Sequence, residues 1–376
     1  MAPQPLKRRI VDVDSIEEFD VVVASARPGS TMDGWRVRRV DLSERTDALK
    51  QFRPSGSLFL GCTVSTEALV HLETGGALVF PDVPESPVDE YRAALYSAEE
   101  LYAGLRERGY QATPDAAVYA WSQRFTGETA DVVVRALHDA AIDSALTLDL
   151  AARGSPVVGV MGGHGIARGS DAFADASRLG HRLSGVGFVV ATGGGPGAME
   201  AANLGAYVSS AARADLDEAL AMVAVVPSFT PSIADWAIAA MDVRDRWPGG
   251  DGGIGVPTWF YGHEPPNVFA GGIAKFFQNS VREATLLNRC DGGVVFLPGA
   301  AGTVQEIFQD ACENYYAEPD LVAPMVLVGG RQWSRTVPVW PLLEALANTQ
   351  GFRHAVELVD TIDDAVAFIA DARPRR

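Results

Sequence analysis

The sequence is poor in lysine and carries little positive charge. Only three of its 31 basic residues are lysines, Lys7, Lys50 and Lys275, and the formal net charge at pH 7 is −17. Sequence-independent binding of nucleic acid depends on neutralising phosphates with Lys and Arg, so this balance argues against a nucleic-acid partner. Small phosphorylated ligands stay possible, because backbone amides and one or two arginines suffice to hold them.

Long apolar runs and paired cysteines are also missing. No run reaches the roughly 18 residues that cross a membrane, and residues 1–9, though basic, are not followed by the apolar segment of a secretion signal. The three cysteines, Cys62, Cys290 and Cys312, show no paired spacing, which indicates free buried thiols in a reducing compartment. The six histidines show no metal-ligand spacing. We therefore expect a cytoplasmic protein with no membrane partner and no metal.

What remains is the composition of an ordinary globular protein, with 47% hydrophobic and 21% charged residues over 376 positions. A chain of this length predicts two domains. Strand-like apolar runs alternate with helical patterns in the C-terminal part, at 156–161, 187–191, 222–226, 292–297, 325–328 and 356–359. This alternation predicts a Rossmann-like α/β fold, a doubly wound parallel sheet with helices on both faces.

A smaller N-terminal α/β domain is expected to precede this sheet. We place it at residues 1–150, ending in a helical linker, and the main domain at 151–376. Within it the pattern predicts a strand at 19–25, a strand–helix–strand unit over 57–80, and a helix that begins at Pro114 with Thr113 as its cap. No internal repeat is visible. A regulatory role is our hypothesis for this domain.

The segment 296–306, FLPGAAGTVQE, says most about chemistry. Its apolar start predicts a buried strand, its small residues a tight turn, and a helix is expected to begin near Thr303. The first N–H groups of a helix have no partner within it, so a turn of this kind binds anions. Glu306 lies one turn further on. It is either a catalytic carboxylate beside a phosphate site or part of a capping box with Thr303.

A second glycine-rich turn, Thr192 to Gly197, is expected after the strand at 187–191. Gly193, Gly195 and Ala198 satisfy the loose dinucleotide fingerprint, but no acidic residue ends the next predicted strand to hold an adenosine ribose. The glycines fit better with a backbone that approaches a mononucleotide closely. A tight turn that binds nothing is the other interpretation.

A helix is predicted over 267–288, with apolar residues at helical spacing. Its Arg282 and Glu283 are either a solvated charged pair or part of a site, because the helix directly precedes the strand that leads to Glu306. The connection 227–266 is too long for an ordinary loop and rich in aromatic residues. It is expected to form either a lid that stacks on a base or a satellite core or subunit contact.

Taken together, GGGPGAM at 193–199, Arg282, and PGAAGTVQE at 298–306 resemble the LOG family. These are the cytokinin-activating phosphoribohydrolases and related bacterial nucleotide nucleosidases. The resemblance covers roughly residues 155–330, and the N-terminal extension resembles that of the longer bacterial members. The chain departs from the family pattern at Ala300, where glycine is usual, and at Glu283, where lysine is usual. The family's old label of lysine decarboxylase does not fit, because a pyridoxal enzyme needs a Schiff-base lysine and the C-terminal domain offers only Lys275.

The resemblance implies hydrolysis of a nucleoside 5′-monophosphate to free base and ribose 5-phosphate, without a cofactor, by a homodimer or dimer of dimers. It implies that Glu306 acts at the ribose and that Arg282 assists the leaving base. Binding of the phosphate and the rest of the substrate is implied for Gly163, Gly193, Gly194, Gly195, Gly197, Met199, Gly299, Ala301, Gly302 and Thr303. Two other functions stay open on the same fold: a non-catalytic nucleotide-binding or sensing protein, and a carrier for a phosphorylated cofactor.

Overall fold

The computed structural model describes residues 10–83, 86–124, 129–210, 213–260 and 264–372. The chain divides into two compact units, Met1–Ala93 and Ala94–Arg376. Both contain a parallel sheet, so the predicted α/β class with a smaller N-terminal unit is confirmed. The division lies well before the predicted boundary near residue 150, because buried carboxylates on the intervening helices bond to the second unit.

The first unit is a four-stranded sheet whose strands lie in sequential order, β1-β2-β3-β4. Its elements are β1 (Val11–Val13), α1 (Ile16–Ser25), β2 (Trp35–Arg38), α2 (Thr46–Leu49), β3 (Leu58–Leu60), α3 (Thr66–Thr74) and β4 (Leu78–Phe80). The prediction of a strand at 19–25 is wrong. Ser15 accepts a hydrogen bond from the Glu18 amide at 3.1 Å and so caps a helix there. The predicted unit over 57–80 is confirmed.

This first unit contains a structural repeat. Val11 pairs with Trp35, Arg36 with Leu58, and Leu58 with Leu78, so one coil of strand and return segment recurs every 20 to 24 residues. Each coil contributes fully buried side chains to one core, among them Val13, Val37 and Phe59. The repeat escaped the sequence analysis because the coils share a backbone path and an apolar position, not a residue motif.

The second unit begins with helices and continues with a seven-stranded parallel sheet of order β11-β10-β9-β5-β6-β7-β8. The strands are β5 (Val157–Met161), β6 (Val189–Thr192), β7 (Ile254–Gly255), β8 (Gly272–Ile273), β9 (Gly293–Phe296), β10 (Met325–Val328) and β11 (Val356–Val359). The helices are α4 (Ala98–Leu101), α5 (Leu105–Arg108), α6 (Pro114–Gln123), α7 (Thr129–Arg153), α8 (Asp171–Gly185), α9 (Ala198–Tyr207), α10 (Arg213–Ala224), α11 (Ile233–Arg246), α12 (Asn279–Asn288), α13 (Ala301–Tyr316), α14 (Trp340–Gln350) and α15 (Ile362–Asp371). Among the described residues, none of the helices combines the length and the apolar character that crossing a membrane requires.

The strand order of this sheet reverses between β5 and β9. The chain runs outward from β5 through β6, β7 and β8, then returns to the other side of β5 and continues through β9 and β10 to β11. Right-handed crossovers in opposite directions place helices on opposite faces. Accordingly α8 packs against α9 and α15, whereas α13 packs against α12 and α14. Ligands bind such sheets at the carboxyl ends of the strands, beside this switch point.

One predicted strand of this sheet is wrong. Residues 222–226 lie at the end of α10 and just beyond it, where Leu216, Ala219 and Val223 are buried at helical spacing and Val225 is exposed. The place beside β6 belongs to the short β7, whose Ile254 pairs with Ala191. A short continuous apolar run in an Ala-rich stretch fits either a strand or a buried helix segment, and the buried face of the helix decided the outcome.

Polar contacts explain why residues 94–153 belong to the second unit. On α7, Asp139 accepts hydrogen bonds from the backbone amides of Phe277 and Gln278, at 2.8 and 2.9 Å. On α6, Asp115 pairs with the buried Lys275 at 2.6 Å. A buried charge is stable only where it is paired, so these carboxylates fix the helices to the segment that leads into α12. The predicted cap on α6 is confirmed, since Thr113 Oγ1 accepts from the Ala116 amide.

Candidate active site

The turn after β9 is an open helix N-terminus. The helix α13 begins at Ala301, and its first helical hydrogen bond runs from the Val304 amide to the Ala300 carbonyl at 3.0 Å. The amides of Ala301, Gly302 and Thr303 therefore precede the ladder of the helix and point out of its end. The positive end of the helix dipole adds to their preference for an anion.

The capping-box interpretation of Glu306 is wrong. The helix starts two residues earlier than predicted, Ala300 is the capping residue, and no side chain caps it. Thr303 lies within the first turn, where its hydroxyl would be only 2.1 Å from a Cβ at Gly299. Glycine is thus required at 299 to let the turn close. Glu306 lies one turn further along the helix and does not cap it.

Glu306 faces a single arginine in a nearly enclosed environment. Arg282 Nη1 of α12 lies 3.6 Å from Glu306 Oε1, and both side chains are about nine-tenths buried. Burial raises the pKa of Glu306 to about 7; Arg282 opposes this rise and Glu283 adds to it. A carboxyl group with a pKa near neutrality exchanges a proton readily under ordinary conditions. The structure thus brings the two predicted catalytic residues together.

Arg282 is held by backbone on two sides. Its Nε donates to the Val256 carbonyl at 2.7 Å. A Cβ on Gly193 would come within 2.6 Å of its Nη2, so the absence of a side chain at 193 provides the space that the guanidinium occupies. The helix that carries it is shorter than predicted. Residues 272–273 form β8 instead, and α12 begins only at Asn279. Lys275 is consequently not on its surface but buried against Asp115.

The glycine turn after β6 is held from outside by two buried asparagines. Asn203 accepts from the Thr192 hydroxyl at 2.7 Å and from Asn267 Nδ2 at 3.0 Å. The Asn267 amide in turn donates to the Gly194 carbonyl at 2.8 Å. Gly194 has a φ of 71°, a left-handed conformation that glycine adopts without strain. These hydrogen bonds fix the shape of the glycine turn within the protein.

The loop after β5 connects the other two. The Gly163 amide donates to the Pro298 carbonyl at 3.1 Å, and the Gly163 carbonyl accepts from the Ala198 amide at 3.1 Å. Gly197, with a φ of 73°, would place a Cβ 2.5 Å from that same carbonyl. Met199 lies along the glycine turn, its Sδ 2.7 Å from a Cβ built on Gly193. All twelve predicted site residues thus lie on these three loops, on the helices they open, or on α12. Their roles in binding stay predictions.

Sequence reasoning missed the full surroundings of Arg282. Glu283, which the sequence left open as half of a solvated pair or part of a site, is only 5% exposed. It accepts from Asn279 Nδ2 at 2.8 Å and also from Gln305 Nε2. A signal existed in the sequence: buried α12 positions 279, 282, 283, 286 and 287 follow the spacing of one helical face, so 283 belongs with the core side. A further pair, His164 and Glu264, lies 3.6 Å apart beside the glycine turn.

Two tryptophans of the aromatic connection belong to the core. Trp236, on α11, and Trp259 are almost fully buried, and Trp259 stacks on Phe277 with ring centroids 4.7 Å apart. This supports the satellite-core interpretation for both tryptophans. Residues 261–263 of the same connection lie outside the described residues. In the described part of the chain, no group of three or more His, Cys, Asp or Glu is placed to hold a metal ion.

Cysteine placement corrects one expectation. Cys290 is buried and Cys62 is partly buried, but Cys312, on α13, is exposed, so it is not a buried thiol. All three are free, as the sequence predicted. Burial raises the pKa of Cys290 well above its ordinary value, so this neighbour of the site is a neutral thiol.

Comparisons with known proteins give only distant similarities. No protein-family model matches the chain, and no curated protein matches it either. Among solved structures it is similar to the molybdenum cofactor binding protein from the phototrophic bacterium Rippkaea orientalis and to the Moco carrier protein from Chlamydomonas reinhardtii. Each pair shares 17% identity and a TM-score of 0.36, covering 58% of this chain and 96% of the other. The structural genomics target TM1055 shares 21% identity with a TM-score of 0.37, covering 57% and 99%.

At these scores the similarity carries no conclusion about function. The class of the protein, a Rossmann-like α/β protein with a parallel sheet and a switch point, is established by its own strand order and pairing. The resemblance to the LOG family, noted on the motifs around Gly193, Arg282 and Glu306, stays a prediction.

Proposed function

We propose that this protein hydrolyses the N-glycosidic bond of a nucleoside 5′-monophosphate, releasing free base and ribose 5-phosphate as LOG-type enzymes do. One observation carries the proposal: an arginine and a nearly buried carboxyl group, 3.6 Å apart, lie one helical turn behind an open helix N-terminus at the switch point. The helix end suits the phosphate, and the pair behind it suits the sugar and its leaving base.

The proposed substrate has three parts, and each is assigned its own contacts. The phosphate accepts hydrogen bonds from the amides of Ala301, Gly302 and Thr303. The ribose then lies over Glu306, and the base lies toward Arg282 and the wall formed by Gly193, Gly195 and Met199. Gly194 and Gly197 shape that wall, while Gly163 and Gly299 bring its backbone close to the phosphate turn. No cofactor is required, since neither a hydride nor a carbanion is involved.

The reaction needs one bond broken and one proton moved. The bond from C1′ to the base nitrogen breaks, charge develops at C1′ as in glycosidases, and a water oxygen bonds to C1′. Glu306 in its carboxylate form stabilises the C1′ centre and takes the proton of that water. Arg282 stabilises the negative charge that develops on the leaving base, and the base then receives the proton that Glu306 took from the water. With a pKa of about 7, Glu306 is available as a base above neutral pH.

The test is release of free base from AMP, GMP, CMP and UMP, followed by chromatography. Wild type should release base from at least one of them. Glu306→Gln should reduce release by about 10² to 10⁴-fold, while calorimetry shows that the nucleotide still binds. Glu313→Gln, two turns further along the same helix, is the matched control and should keep its activity.

Two outcomes would overturn the proposal. If wild type binds a monophosphate but releases no base, the protein is a nucleotide-binding or sensing protein on this fold. If Glu306→Gln releases base as wild type does, the reacting group lies elsewhere. Assembly as a homodimer or dimer of dimers and a cytoplasmic location belong to the same proposal, and sedimentation and cell fractionation test them.

A further inference from the structure

Glu283 is a carboxylate that two amide side chains hold in place. One of its oxygens, Oε1, accepts from Asn279 Nδ2 at 2.8 Å. The other, Oε2, accepts from Gln305 Nε2, which belongs to α13 and immediately precedes Glu306 in the chain. The side chain therefore connects α12 to α13 next to the Arg282–Glu306 pair. Since both oxygens accept N–H bonds, neither carries a proton directed at these partners.

Glu283 and Glu306 share one guanidinium. Arg282 Nη1 lies 3.7 Å from Glu283 Oε1 and 3.6 Å from Glu306 Oε1. One cation balances one anion, and two carboxylates in a poorly hydrated site are not both ionised without cost. Glu283 has two additional donors and Glu306 has none of that kind among its described contacts. The proton is therefore expected on Glu306.

Two other titratable groups of the described chain lie near Glu306, and burial disfavours the charged form of each. Beyond Arg282 and Glu283 on α12, these are Cys290 after that helix and Asp310 on α13. Burial raises the pKa of Cys290 and of Asp310 well above their ordinary values, so it favours the neutral form of both groups. The exchange of a proton at the site thus depends on the balance of three side chains.

We propose that Glu283 is a positioning residue: by holding part of Arg282's charge, it keeps Glu306 as the group that takes up and releases the proton of the site. In the reaction proposed above, on which this inference rests, Glu283 touches no substrate. It sets the pH at which Glu306 becomes a carboxylate. The raised pKa of Glu306, to which Glu283 contributes, agrees with this arrangement.

The experiment follows the titration of Glu306 directly, by ¹³C NMR of side-chain carboxyls labelled in glutamate, with Glu306→Gln providing the assignment. The pH profile of base release is measured in parallel. In Glu283→Gln the midpoint of Glu306 should fall by about one pH unit, and the acidic limb of the activity profile should move by the same amount. Glu313→Gln, remote from Arg282, should leave the midpoint where it is.

A second variant tests the same idea in the opposite direction and at an exposed position. Gln305→Ala removes a donor from Glu283, which then draws more on Arg282, so the midpoint of Glu306 should rise. An unchanged midpoint in both variants overturns the inference, whether or not base is released. If the midpoints move as expected but no protein releases base, the proposed function fails and the role of Glu283 stands.

Discussion

The two parallel sheets of this chain are built from the same strand-and-return unit and differ in strand order. In the first unit the order is sequential, β1 to β4, so every crossover runs in the same direction. In the second unit the order reverses between β5 and β9. Only the second order contains a change of direction, and ligands bind open α/β sheets beside such a point. The candidate site of this chain lies at that change of direction, which the first sheet lacks.

The buried side chains of the two units also differ. The core cluster of the first unit consists of apolar side chains such as Val13, Val37 and Phe59. At the switch point of the second unit, Arg282, Glu283 and Glu306 are all nine-tenths buried or close to it. Buried charges usually lower stability unless they are paired. Such a cluster is therefore a mark of function more than of folding.

The largest expected effect lies in the first unit and concerns the independence of the two sheets. Phe59 is fully buried in its core, so Phe59→Ala should lower the free energy of unfolding of that unit by about 3–5 kcal/mol. The affinity for AMP should stay within about twofold of wild type, because every candidate site residue belongs to the second unit. Urea unfolding and calorimetry check this; a tenfold loss of affinity would break the comparison.

A somewhat smaller effect is expected where two helices of the second unit touch. A Cβ on Gly205 of α9 would lie 1.8 Å from the Ser177 carbonyl of α8. Gly205→Ala should therefore lower the free energy of unfolding of the second unit by about 3 kcal/mol and disturb the geometry of the candidate site. Gly185→Ala on α8 meets nothing within 4 Å and is the matched control; it should be neutral or slightly stabilising. Equal denaturation curves for both variants would contradict the packing described for α8 and α9.

The smallest effect concerns how the raised pKa of Glu306 changes the free energy of unfolding with pH. The pKa of Glu306 is raised from 4.5 to about 7, so the folded state holds this proton more tightly than the unfolded state does. The contribution is favourable below pH 4.5 and is lost as pH rises from 4.5 to 7. Glu306→Gln should therefore gain stability relative to wild type, by up to about 3 kcal/mol at pH 8, and little at pH 4.5.

Thermal unfolding of both proteins across that pH range checks the prediction. Glu318→Gln also replaces one glutamate by glutamine, but at an exposed position. It should show no such pH-dependent difference from wild type. If the Glu306→Gln curve runs parallel to that of wild type, Glu306 is not held with a raised pKa, and the contrast between the two interiors weakens.

Much of the second unit could be predicted from sequence because strong local signals agree there. The strands β5, β6 and β9 are apolar runs ended by glycine-rich turns, and the three loops at their ends were predicted at the right places. The failures lie where the local pattern was ambiguous. Residues 222–226 are a short apolar run in a helix-forming stretch, and residues 19–25 contain three consecutive valines but follow the capping residue Ser15.

The site was predictable as a set of residues but not as a set of contacts. The order of the elements placed Arg282 near Glu306, yet the same analysis left Glu283 open as half of a solvated pair or part of a site, although its position on the buried face of α12 was visible. The capping box at Thr303 failed because the helix begins earlier, after a turn whose closure depends on Gly299. The distances between the loops depend on the order of the strands in the sheet. That order could not be predicted from any single segment of the sequence.

The carboxylate of Asp139 has a practical consequence for how the chain can be divided. Its two hydrogen bonds to the amides of Phe277 and Gln278 join residue 139 to the start of the segment that carries Arg282. A fragment that begins at Ala94 keeps this contact, and also the pairing of Asp115 with Lys275. A fragment that begins at 151 removes both and leaves a lysine without its counter-ion in the interior. A fragment of this unit for expression, or for fusion to another chain, should thus begin some sixty residues before the first strand of its sheet.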